Sequence, residues 1–194
     1  AFLLPAKNSS KEVSITQDWI QGKKKDGYIV VGININILIS EKVLSIQHED
    51  IINIYVGNLN ALSAMKKISY VFIPHDFRGA VNDFTLSKEV MNQLIRLGKN
   101  DSLIIKPPCN SEEIKAICSQ VDFVFSGRLH LAISCLSLGI PAMLLNYQDK
   151  AKGIYDSFGI TDMVIEPSVL RHHLNLATIL NNFILMIISY LYLF

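Results

Sequence analysis

The clearest pattern in the chain begins at Tyr28. Tyr28-Ile29-Val30-Val31-Gly32-Ile33 is apolar at consecutive rather than alternate positions, as in a strand buried on both faces. Similar short runs follow at residues 70–73, stopped by Pro74, at 102–106, stopped by Pro107-Pro108, at 121–125 and at 142–145, and residues 163–165 read as a last short strand. Helical spacing fills the gaps. Residues 50–65 place Ile51, Ile54, Tyr55, Leu59 and Leu62 on one stripe. Residues 84–97 predict a helix with Asp83 as its cap and Gly98 just past its end. Asn110 followed by Glu113 is a capping pair for a helix running to about residue 120. Ser126-Gly127 is a sharp turn into a helix over 128–138, which Gly139 ends and Pro141 keeps from extending. Residues 149–158 predict another helix, stopped by Gly159. Strands alternating with helices predict βαβ units and an α/β, Rossmann-like parallel sheet with flanking helices. Such sheets bind ligands outside the carboxyl ends of their strands, so the residues following each strand are the ones that matter.

Outside that regular part, residues 1–27 read as the remnant of an N-terminal region or a linker, with a turn at Asn8-Ser9-Ser10 and a solvated face at Lys23-Lys24-Lys25. The first residue is Ala1, and AFLLPAKN lacks the basic lead and cleavage site of a signal peptide, which suggests a cut with an N-terminal portion missing. Residues 28–173 form the predicted Rossmann-like catalytic domain. Residues 174–194 are an apolar tail, with no Asp, Glu, Lys or Arg after Arg171. Three readings of it stand side by side: a core or interface helix, a peripheral contact with a membrane surface, and a non-native end. A membrane span needs roughly 20 apolar residues, more than the uninterrupted run at 183–194.

Composition narrows the function. Of 194 residues 50% are hydrophobic, which excludes disorder. Lys+Arg 18 nearly cancels Asp+Glu 17, so a whole-chain electrostatic nucleic-acid binder is excluded and any anion site must be local. Cys109, Cys118 and Cys135 form no C-x-x-C pair and leave an odd count, which suggests neither a metal site nor a disulfide framework and fits the reducing cytoplasm. No G-x-G-x-x-G, P-loop or G-x-S-x-G motif occurs.

Three post-strand segments carry candidate chemistry. In Ser126-Gly127-Arg128-Leu129-His130, a helix start offers free N–H groups and partial positive charge. Gly127 permits close backbone approach, Arg128 presents a planar fork for phosphate or carboxylate, and His130 lies in the first turn. The competing reading is an Arg salt-bridged inside the core and a satisfied His. After the fifth strand, Tyr147 offers a hydroxyl or stacking face, and Lys150 is either a second positive charge or a surface lysine; Gly153 allows close approach of a neighbour. In Pro74-His75-Asp76, with Asp83 further on, His and Asp can act as base and orienter, or the loop can be held by Asx-type hydrogen bonds.

Together with Gly139-Ile140-Pro141, Tyr147-Gln148-Asp149-Lys150, Gly153, Gly159, Ile73-Pro74-His75-Asp76 and Asn82-Asp83, the SGRLH segment resembles the polysaccharide pyruvyl transferase family over roughly residues 28–165. The resemblance implies one half of a two-domain glycosyltransferase B fold, its C-terminal domain, with a missing N-terminal domain expected to complete the cleft. It implies transfer of a pyruvyl group from phosphoenolpyruvate to a sugar of a cell-surface polysaccharide or its precursor, forming a ketal and releasing phosphate. Phosphoenolpyruvate and a saccharide acceptor are the expected partners, with no cofactor beyond the donor, no catalytic metal and no nucleic acid. The expected location is the cytoplasm or the inner face of the membrane. In this reading Arg128 binds the anion and stabilises charge, and His130 is an anion ligand or the acid that protonates the methylene carbon. His75, oriented by Asp76 or Asp83, is a second proton-transfer candidate. Ser126, Gly127, Arg128, His130, Tyr147, Lys150 and Asp83 are the expected substrate contacts. The alternatives are a glycosyltransferase or sugar-nucleotide epimerase, with the same turn on a diphosphate, and a non-catalytic truncated domain.

Overall fold

A computed structural model describes residues 3–39, 43–79, 82–99, 101–107, 109–147, 149–172 and 174–191. The apolar runs become strands β1 (Ile29–Asn34), β2 (Ile68–Phe72), β3 (Ser102–Ile104), β4 (Phe123–Ser126), β5 (Ala142–Leu145) and β6 (Val164–Ile165). All five pairings are parallel, in the order β3-β2-β1-β4-β5-β6. The helices are α1 (Lys11–Lys25), α2 (His48–Met65), α3 (Asp83–Arg96), α4 (Ser111–Cys118), α5 (Leu129–Leu136), α6 (Asp149–Ser157) and α7 (Asn175–Leu191).

Consecutive apolar positions are needed because each face of the sheet has its own core. Val31, Ile33, Phe72, Phe125 and Leu145 point towards α2, α3 and α7. Val30, Val71, Val124, Ala142 and Leu144 point towards α1, α4, α5 and α6. At Gly32 a Cβ would lie 2.9 Å from Val124 Cγ2 and 3.0 Å from Ile73 Cδ1, so only glycine lets the second layer close there.

Three expectations change. Residues 1–27 are not merely a linker: Lys11–Lys25 form α1, which buries Val13 and Ile20 completely in the second core. The helix is capped by Ser10, and the three lysines are its last turn. Helix α3 starts one residue earlier than predicted, with Asn82 as its cap; the Asn82 side chain accepts from Phe84 and Thr85 N–H. The tail folds as a core helix. Leu176, Ala177 and Leu180 of α7 are fully buried, Phe183 meets Phe123 edge-on at 5.5 Å, and the Ala177 N–H donates to Asn58 Oδ1 at 2.8 Å. Among the described residues no helix is long and apolar enough to cross a membrane.

Candidate active site

The strand order reverses between β1 and β4: from β1 the chain builds outward through β2 and β3, then crosses to β4 and builds the other way. The carboxyl ends of these two central strands mark the switch point, beside which open α/β sheets bind ligands. SGRLH follows β4, and Pro74-His75-Asp76 follows β2.

The turn itself is largely self-contained. The Gly127 N–H donates to the Asn34 carbonyl at 3.1 Å, and the Gly127 carbonyl accepts from Asn36 Nδ2 at 2.7 Å. A Cβ on Gly127 would sit 2.6 Å from Asn36 Cβ. Gly127 therefore lets two loops touch and does not donate to an anion. Ser126 is fully buried; its hydroxyl accepts from the Arg128 N–H at 3.0 Å and donates to the Arg128 carbonyl at 2.9 Å. It shapes the turn instead of contacting substrate. The N–H groups left over are one step further along. Helix α5 has no side-chain cap, and its first internal bond runs from the Ala132 N–H to the Arg128 carbonyl at 3.2 Å. The N–H groups of Leu129, His130 and Leu131 thus form its open first turn.

Arg128 makes the salt bridge of the competing reading and still lines a cavity. Its Nε and Nη2 donate to Asp83 Oδ2 and Oδ1 at 3.0 and 2.8 Å, a bidentate pair with a carboxylate that is 0% exposed. Asp83 also accepts from the Ile37 and Asp76 N–H groups, each at 3.3 Å. Enclosed in this way, Asp83 is spent on holding the guanidinium and the two loop N–H groups in place. The guanidinium stays at the carboxyl edge of the sheet and lines a cavity, with Asp83 on its inner side.

His75 and its acids are not arranged as expected. Asp76 accepts from Arg78 Nε at 2.9 Å, Nη2 at 2.7 Å and N–H at 3.1 Å, and this hold keeps its carboxyl far below the usual carboxylate range. Asp76 is therefore an anchor for the loop, with Arg128 Nη2 3.6 Å away, and not a proton-transfer group. With Asp76 on Arg78 and Asp83 on Arg128, neither carboxylate hydrogen-bonds the His75 ring among the described residues. The His75 imidazole keeps a solvent-facing side. Lost solvation against the protein wall, then the nearby Arg128 guanidinium, hold its pKa below the ordinary value, while Asp83 opposes them.

Two cavities meet here. One, of about 350 Å³, lies between the start of α5, the end of β5 and α6; Arg128, Asn146 and Tyr147 are among its walls. The other, of about 530 Å³, lies between the loop after β2, the start of α4 and the flank of α5. His75 and His130 line both. Tyr147 thus joins the Arg128 side of the site. Lys150 is in the first turn of α6, but its side chain lies outside the described residues, as do those of Gln148 and Asp149. A Cβ at Gly153 would meet nothing within 4 Å, so no neighbour approaches there. No metal-ligating cluster of three or more His, Cys, Asp or Glu occurs among the described residues.

The residues not picked out from the sequence are Asn34 and Asn36, both buried. Asn34 Nδ2 donates to the Ile73 carbonyl at 2.9 Å, tying β1 to the loop that carries His75, while Asn36 holds the Arg128 turn. Their signal was present: two polar residues at alternate positions within an apolar run, Ile33-Asn34-Ile35-Asn36-Ile37.

A family model for polysaccharide pyruvyl transferase matches residues 1–149, which include His75, Asp83, Ser126 to His130 and Tyr147. The chain belongs to the polysaccharide pyruvyl transferase family. Among curated proteins none matches the chain. Solved structures similar to this pyruvyl transferase family member are glycosyltransferases of the B class. The UDP-forming α,α-trehalose-phosphate synthase of Burkholderia xenovorans, in complex with glucose-6-phosphate, aligns with a TM-score of 0.54 and 12% identity, over 89% of this chain and 38% of that one. A trehalose-6-phosphate structure from E. coli bound with UDP-2-fluoro glucose aligns with a TM-score of 0.54 and 14% identity, over 88% and 41%. At such identities the likeness concerns the fold, and the chain spans about two fifths of the length of these proteins.

Proposed function

We propose that this chain is the donor-binding half of a transferase that moves the pyruvyl group of phosphoenolpyruvate onto a saccharide of a cell-surface polysaccharide or its precursor, in the cytoplasm. The observation that carries the reading is the Arg128 cavity. A guanidinium fixed by a buried carboxylate faces a space of about 350 Å³ beside an uncapped helix start, and two imidazoles stand on the rim. Phosphoenolpyruvate carries a phosphate and a carboxylate close together. One anionic group suits the guanidinium and the other the open N–H groups of α5.

The chemistry balances with the groups at hand. A proton adds to the methylene carbon of the donor, and positive charge develops at the adjacent carbon. Two saccharide hydroxyl oxygens bond to that carbon, and its bond to the phosphate oxygen breaks. The product ketal carries a methyl and a carboxylate. Of the two hydroxyl protons lost, one balances the proton taken up by the methyl group and the other leaves with phosphate. His130, on the helix that carries the donor, supplies the first proton. His75, kept neutral near pH 7 by its lowered pKa, accepts a hydroxyl proton. Arg128 stabilises the phosphate as it departs.

In the intact enzyme, with phosphoenolpyruvate and saccharide acceptor supplied, Arg128→Ala and His130→Ala should each lower phosphate release by about 100-fold or more. Near-normal rates in both would overturn the assignment. The B-class architecture favours one second reading, a nucleotide-sugar diphosphate on the same turn. Binding of a UDP-sugar, with none of phosphoenolpyruvate, would select it.

A further inference from the structure

The larger cavity is not needed to hold phosphoenolpyruvate, yet it adjoins the Arg128 cavity across the ridge made by His75 and His130. Its chemistry is different. Arg128 and the end of β5 are absent from its walls; instead Phe77, Asn110, Ser111, Ser134 and Cys109 line it with apolar side chains. Among the described residues no Asp, Glu, Lys or Arg lines it. The Cys109 thiol is pushed up to about 11, first by burial and then by Glu113 and Glu12, so it is neutral and no nucleophile. Apart from the two imidazoles of the ridge, the walls of this cavity of about 530 Å³ are uncharged side chains, which suit an uncharged ligand.

What kind of neutral ligand follows from the walls. Phe77 packs one side against Phe84, ring centroids 6.0 Å apart, and remains 39% exposed. It offers an aromatic surface that is already oriented. Around it are hydroxyls and an amide with hydrogen-bonding capacity to spare. Ser134 donates to the His130 carbonyl at 2.9 Å, and its lone pairs remain. Asn110 caps α4 through its oxygen, accepting from the Glu113 N–H at 3.0 Å, and its NH₂ remains a donor. A hexopyranose has the matching anatomy: a ring face of C–H groups and a rim of hydroxyls that both donate and accept.

We infer that the cavity between Phe77, the start of α4 and Ser134 is the acceptor subsite, that it takes an uncharged hexopyranose, and that the His75–His130 ridge is where acceptor hydroxyl meets donor. This rests on the donor reading of the Arg128 cavity, and it deepens that reading by placing the two substrates on opposite flanks of the α5 start. The placement puts a hydroxyl of the sugar beside His75 and the methylene of the donor beside His130, as the two proton transfers require.

The test separates the two sites. Saturation-transfer NMR on the full chain with methyl glucopyranoside, galactopyranoside and mannopyranoside reads the acceptor subsite, and the phosphorus-31 signal of phosphoenolpyruvate reads the donor site. At least one glycoside should give ring-proton signals, which Phe77→Ala and Ser134→Trp each weaken about fivefold or more. Neither change should alter the phosphoenolpyruvate response, and Arg128→Ala should do the reverse. Phe77 is exposed, so its variant remains decisive if the tryptophan variant does not fold. No signal from any of the three glycosides, or signals unchanged in Phe77→Ala, overturns the acceptor subsite. A silent phosphoenolpyruvate signal in the unaltered chain overturns the donor reading instead.

Discussion

The two edges of the sheet use similar charges in opposite ways. At the amino edge, Lys23 pairs with Asp101 and Lys24 with Asp122, with side-chain exposures between 21% and 37%. Lys23 and Lys67 also lie 5.0 and 4.6 Å from the Tyr28 ring. At the carboxyl edge, Arg128 is bound to an Asp83 that is fully enclosed, and Asn34 and Asn36 are buried beside it. Exposed pairs are screened and contribute little, whereas a buried pair costs desolvation that its attraction offsets only with good geometry. The amino edge is therefore ordinary surface, tacking α1 to the sheet. The carboxyl edge holds a charge in place at the side of a cavity, an arrangement stability alone does not call for.

The largest effect that would break this comparison lies in the buried pair. Arg128→Met leaves the Asp83 carboxylate enclosed without its cation and should lower stability by about 3–5 kcal/mol. The double variant Asp83→Asn/Arg128→Met removes the stranded charge and should recover a large part of that loss. Urea unfolding reads both. A single variant within about 1 kcal/mol of the parent would mean that the pair is effectively solvated and that the two edges do not differ.

Next in size is the packing of the Arg128 turn. Gly127→Ala places a methyl 2.6 Å from Asn36 Cβ and should destabilise by about 1–3 kcal/mol while displacing the guanidinium from its cavity. Gly153→Ala, with nothing within 4 Å of the new Cβ, should be neutral or stabilising. Melting temperatures of the two variants check the contrast; equal shifts would show that the carboxyl-edge loops are not tightly apposed.

How far these features could be read from the sequence follows from what each depends on. Buried parallel strands leave continuous apolar runs, so β5 appears at Ala142–Leu145 as predicted and β1 within a residue of it. Helix α1 was not read because only Val13, Thr16 and Ile20 of its fifteen residues are buried, a stripe too thin to stand out among lysines and glutamines. The tail was ambiguous for the opposite reason: it is apolar on the buried side at Leu180 and on the open side at Leu185, so no stripe marks its direction. In the site, positions were legible and partnerships were not. SGRLH follows a buried strand and opens a helix, as expected. Nothing local indicates that Arg128 answers Asp83, 45 residues away, or that the Asn34 carbonyl takes the Gly127 N–H. The first pairing exists only once the segment after β2 meets the turn after β4, and the second only once β1 lies beside β4.

The smallest effect belongs to the amino edge, and its pH dependence sharpens the contrast. The Asp101 carboxyl sits below its ordinary value, chiefly through its hydrogen bond with Lys23, aided by the Tyr28 hydroxyl at 3.0 Å and opposed by partial burial. A carboxyl lowered on folding stabilises the native state fully above the unfolded value of about 3.9, and that contribution is lost as pH falls through the folded value. Asp101→Asn should therefore cost less than about 1 kcal/mol at pH 7, less still in about 1 M salt, and progressively less below about pH 4. Urea unfolding of parent and variant at pH 7 and in acid measures this. A cost at pH 7 equal to that of Arg128→Met, and indifferent to salt, would place the Lys23–Asp101 pair in the same desolvated class as Arg128–Asp83. Buried charge would then no longer single out the carboxyl edge as the functional one.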